Sequence, residues 1–138
     1  MSPSADTRSN STPAGVLGLT TGQIVLELGY DDDVDLDLRD TIEDSIDADL
    51  EDESFQEIVD AVVMWWREGD GDLTDALVDS IATLSPGGPI WLLVPKAGRD
   101  GHVLPGEIQE AARTAGLRVM GNQSLAEDWS GTRLASRA

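Results

Sequence analysis

Three short apolar runs, "GQIVLELG" (residues 22–29), "VDAVVMWW" (59–66) and "PIWLLVP" (89–95), stand widely separated in a chain of 138 residues. Their length and aliphatic content predict strands buried on both faces of a sheet. The segments between them follow a different period. Val34, Leu38, Ile42 and Ile46 recur every four residues, which lays one apolar stripe along a helix. Leu73, Ala76, Leu77, Ser80, Ile81 and Leu84 form a second helix, stopped by "SPGG". "EIQEAARTAG" is a third, closed by Gly116. Strands alternating with helices in this way predict a mostly parallel sheet with helices on both faces, joined by right-handed crossovers. The last two apolar stretches, "LRVMGNQSL" and "WSGTRLAS", predict a C-terminal antiparallel hairpin. Trp65 and Trp66, adjacent on a strand, must face opposite sides of the sheet.

The first strand runs straight into "YDDDVDLDLRD", where a nucleotide-binding unit would carry a glycine-rich loop. Asp31 to Asp33 are expected to cap the helix that follows, their carboxylates accepting its free N–H groups. "DADLEDESFQEI" reads as a loop with a vestigial edge strand. The opening "MSPSADTRSNSTPA" is polar and small, so residues 1–14 are expected to be a disordered tail and 15–138 a single α/β domain. The opening has no apolar core of a secretory signal, and no apolar run approaches the ~20 residues that cross a bilayer. A cytoplasmic setting is the expectation. With zero cysteines there is no disulfide, thiolate metal site or cysteine nucleophile.

Charge narrows the partners. The net charge is −18, and residues 31–53 hold thirteen acids against Arg39 alone. Nucleic acid and anionic membrane both need a basic surface, so neither is an expected partner. A basic protein partner for segment 31–53 is the positive expectation. Oligomeric state is not legible.

"GYDDDVD", "AVVMWWR", "GGPIWLLVPKAGRDGHV" and "DWSGTRL" together resemble the bacterial domain-of-unknown-function family numbered 3052 (DUF3052), in order over about residues 16 to 137. That resemblance implies a reduced class I methyltransferase-like, Rossmann-like sheet, and it implies no activity.

The candidate sites follow from that fold. Methyltransferases set a glycine-rich loop against the methionine part of S-adenosylmethionine. Here only Gly29 remains, followed by Tyr30, Asp31, Asp32 and Asp33. Those five residues are the cofactor site if S-adenosylmethionine binds; phosphate-bearing cofactors are repelled by the aspartates. Asp33, Asp35 and Asp37 imitate the opening of a calcium loop, but Leu38 and Asp44 stand where glycine and a bidentate glutamate are required. "DGDLTD" (70–75) fails likewise, so no metal site is expected. Lys96, Arg99 and His102 sit in the loop after a buried strand, at the edge where α/β sheets place ligands. The competing reading pairs Lys96 and Arg99 with the acidic segment. Trp66 and Trp129, near strand ends, are candidate anchors for a partner. A single histidine argues no catalytic triad. The leading expectation is a non-catalytic interaction or regulatory module on a degenerate methyltransferase-like fold, with no cofactor. The alternative is a small S-adenosylmethionine-dependent methyltransferase or S-adenosylmethionine-binding protein.

Overall fold

The computed structural model describes residues 13–136. A short helix α1 (Pro13–Leu17) leads into β1 (Val25–Leu28), α2 (Leu36–Ile46), β2 (Ala61–Trp65), α3 (Leu73–Ile81), β3 (Ile90–Pro95), α4 (Pro105–Thr114), β4 (Leu117–Ser124) and β5 (Trp129–Ser136). The expected N-terminal tail falls outside the described residues except for Pro13 and Ala14, which begin α1.

The five strands lie in the order β1-β2-β3-β5-β4. β1, β2 and β3 are parallel, and β5 runs antiparallel to both β3 and β4. The fold is therefore the expected α/β sheet, mixed because of its C-terminal hairpin. The vestigial edge strand is a single parallel bridge from Glu51 to Leu26. Glu51 accepts from the Glu27 N–H at 2.8 Å and donates to Val25 at 2.9 Å. The chain thus leaves β1, touches its outer side at Glu51, then crosses to its inner side as β2. That reversal makes the C-terminal end of β1 the topological switch point, where open α/β sheets form their ligand crevice.

The period of two along β2 divides the core. Ala61, Val63 and Trp65 face the layer of α1 and α2, packing with Val34, Leu38, Ile42 and Ile46. Val62 and Met64 face the layer of α3 and α4, with Leu77, Ile108, Ala111 and Ala112. Trp65 and Trp66 do point to opposite layers. One local expectation is corrected: the cap of α2 is Asp35, whose carboxylate accepts from the Leu38 N–H at 2.8 Å. Asp31 to Asp33 precede it as a turn, closed by the Val34 N–H donating to the Asp31 carbonyl. Val34 is buried and has to face the core, which delays the helix by a turn.

Candidate functional site

β1 and β2 end side by side, and only glycine fits where they part. Gly29 has φ 78°, and a Cβ there would overlap the carbonyl oxygen of Trp65. Two residues beyond that carbonyl, Arg67 folds back over the crevice. Its Nη1 donates to the Gly29 carbonyl at 2.8 Å and to the Trp65 carbonyl at 3.3 Å. Nε and Nη2 together grip the Asp33 carboxylate, Nε at 2.9 Å. The guanidinium carbon lies 5.3 Å from the centre of the Trp129 ring, within cation–π range. Trp129 stands edge-on to Trp65, its Nε1 donating to the Asp33 carbonyl at 3.2 Å. One side chain therefore joins β1, the aspartate loop, β2 and β5. The Arg67 hydrogen bond holds the Asp33 carboxyl below its ordinary pKa, against partial burial and with Coulomb attraction to Arg67 adding to the effect.

A second charged cluster lies beneath. Glu27, in the middle of β1, is only 6% exposed. It accepts a two-pronged grip from Arg39 at 2.6 and 2.8 Å, and the Trp65 indole N–H at 2.9 Å. The Tyr30 ring lies over the Arg39 guanidinium at 4.8 Å. The Glu27 hydrogen bond raises the Arg39 pKa above its ordinary value, against the opposing effect of partial burial.

The aspartates of the loop do different jobs. Asp31 accepts from the Asp32 N–H, and both side chains are exposed, as is Tyr30. Asp33, Asp35 and Asp37 diverge, the first to Arg67, the second to the cap and the third into the first turn of α2. Beside Gly29 the crevice opens into a groove of about 480 Å³ whose lining includes Asp31, Glu53, Asp70 and Asp79.

At the other end of the same sheet edge, Lys96 and His102 line one cavity, but Arg99 does not join them. Arg99 pairs with Asp128 at 2.9 Å, and Lys96 has no ion pair among the described residues. Neither pairs with segment 31–53, so the competing reading is corrected. Within that segment Arg67 takes Asp33, and Arg39 pairs with Glu27 of β1. Trp129 is 3% exposed and packed in the core, which corrects its reading as an exposed anchor; Trp66 is half-buried against the α3–α4 layer. Sequence reasoning passed over Glu27, Arg39 and Arg67. The signal was there: a glutamate inside "IVLELG" needs a buried counter-charge.

This is the architecture of a methyltransferase-like α/β domain whose switch-point crevice holds an arginine. The chain belongs to the family described as a protein of unknown function (DUF3052), whose model matches residues 14–138. An uncharacterised protein of Mycobacterium tuberculosis (strain H37Rv) is 47% identical over 130 residues, which are 94% of this chain and 80% of that one. Among solved structures, the mitomycin 7-O-methyltransferase MmcR superposes with a TM-score of 0.64 at 10% identity. That match covers 94% of this chain but 54% of MmcR, so the chain spans about half of that enzyme. The CcbJ methyltransferase of Streptomyces caelestis gives 0.57 at 13% identity, covering 98% and 97%. At such identities the likeness is one of fold.

Proposed function

We propose that the chain is a non-catalytic binding module of the cytoplasm, built on a methyltransferase-like fold whose cofactor crevice is closed from within. Arg67 carries the reading. Its guanidinium takes the Gly29 carbonyl, the Asp33 carboxylate and the face of Trp129, where a cofactor loop would leave open backbone. Tyr30 stands in place of a second glycine, so close backbone approach to a ligand is lost. The residues present do not fit S-adenosylmethionine in the glycine-loop manner. The partner half of the proposal rests on α2 and its C-cap, where Asp37, Asp40, Asp44 and the cap residue Asp47 are all exposed at helical spacing. A basic protein surface is the complement of that row. Its capture should weaken steeply with salt, since exposed charges are screened over about 8 Å at physiological ionic strength.

One observation favours a second reading. The groove beside Gly29 is lined by four carboxylates against the single base Arg67, an excess of acid congenial to the sulfonium and ammonium of S-adenosylmethionine. Under it, Gly29, Tyr30 and Asp31 to Asp33 would touch the cofactor. An amide-resolved NMR titration with S-adenosylhomocysteine and S-adenosylmethionine decides between the two. The expected result is no saturable shift from Gly29 to Asp33 at millimolar ligand. Saturable shifts there would overturn the non-catalytic reading.

A further inference from the structure

On the opposite layer from the Glu27 cluster, β3 and the loop after it, β5, β4 and the first turn of α4 line an open-sided cavity of about 370 Å³. That is within the range of small-molecule sites, roughly 300–1,000 Å³. Its composition is unlike the rest of the chain. In a protein of net charge −18, no aspartate or glutamate lines it, and its one fixed charge is Lys96. Val94, Val103, Ile108 and Val119 supply apolar wall.

The polar groups have an orientation. Thr132, on β5, is 2% exposed. Its Oγ1 accepts the Asn122 amide N–H at 2.8 Å. With Oγ1 accepting there, the hydroxyl hydrogen can turn toward the cavity. His102 Nδ1 lies 2.8 Å from the Pro95 carbonyl. A carbonyl only accepts, so Nδ1 bears the proton and the ring is held at the cavity wall. Helix α4, whose Pro105 and Ile108 line the cavity, starts at Leu104 without a side-chain cap. Its first turn also carries Glu107, which stays outside the lining, so Lys96 is the charge the cavity offers an anion.

We propose that this cavity is a binding site for a small apolar monocarboxylate. The carboxylate accepts from the Lys96 ammonium and the Thr132 hydroxyl, and the hydrocarbon body packs on Val94, Ile108 and Val119. The site is separate from the β1–β2 crevice, and it stands whether or not that crevice takes a cofactor.

The test is an amide NMR titration of the full chain with hexanoate, alongside hexanamide and hexylamine at equal concentration. Hexanoate should give saturable shifts at Lys96 to Val103, Ile108, Asn122 and Thr132, with hexanamide weaker and hexylamine silent. Lys96→Gln and Thr132→Val should each weaken hexanoate by roughly tenfold, the effect of losing one hydrogen bond to a charged group. Unchanged far-ultraviolet circular dichroism shows that the variants are folded. No shift with millimolar hexanoate overturns the proposal, as does equal binding of hexylamine or undiminished binding by both variants.

Discussion

At the scale of single residues, Glu27 governs what β1 can tolerate. A carboxylate 6% exposed between apolar neighbours is stable only with its charge answered, and Arg39 and the Trp65 indole answer it. Arg39→Met removes the countercharge and leaves the carboxylate buried, so it should cost about 3 kcal/mol or more in urea unfolding. The double variant Glu27→Gln, Arg39→Met removes both charges and should recover part of that loss. Equal destabilisation by the single and the double variant would show that the pair is not coupled. This cluster was half legible. The acid in "IVLELG" is visible in the sequence, but its partner lies twelve residues away on a helix face and is identified only when α2 packs across β1.

Elements explain why the aspartate loop was harder to read. Eleven residues of helical stripe located α2 well, yet three consecutive aspartates offered several caps, and burial of Val34 selected Asp35. Asp33 was thereby left outside the helix and within reach of Arg67, a residue supplied by the far end of β2. No local pattern announces a contact across 34 positions. The pair has a pH signature. The Asp33 carboxyl is lowered in the folded state, so its contribution is fully present above the ordinary aspartate value near 4 and is lost as pH falls through the depressed folded value. Because Asp33 is half exposed, the effect is modest. Trp129 rests against Arg67 and donates to the Asp33 carbonyl, so indole emission is a suitable probe. The acid transition of the wild type should be steeper below pH ~4 than that of Asp33→Asn. Superimposable acid profiles would remove the pair from any role in closing the crevice.

For the whole molecule, strand–helix alternation made the sheet and its terminal hairpin legible, because periods of two and 3.6 are local. The edge beyond β1 was legible as an acidic loop with a vestigial strand, and Glu51 makes a lone bridge there. What the alternation could not carry is the distribution of charge in space. Asp37, Asp40, Asp44 and Asp47 run along the exposed side of α2, and its last turn bears no base. Carboxylates at a helix C-terminus oppose the dipole, and a net charge of −18 repels itself in the compact state. Asp47 adds backbone strain at φ 55°, the one positive φ outside glycine among the described residues. Added sodium chloride should therefore raise the thermal midpoint, since screening relieves repulsion more than it weakens the partly buried Arg39 and Arg67 pairs. Asp40→Asn with Asp44→Asn should raise the midpoint at low salt by a few degrees and flatten its salt dependence. The same variant should lose salt-sensitive capture by a basic partner. A midpoint that falls with salt would mean that ion pairs outweigh repulsion. The acids of α2 would then be part of what holds the fold together, and their availability to a partner would lose its physical basis.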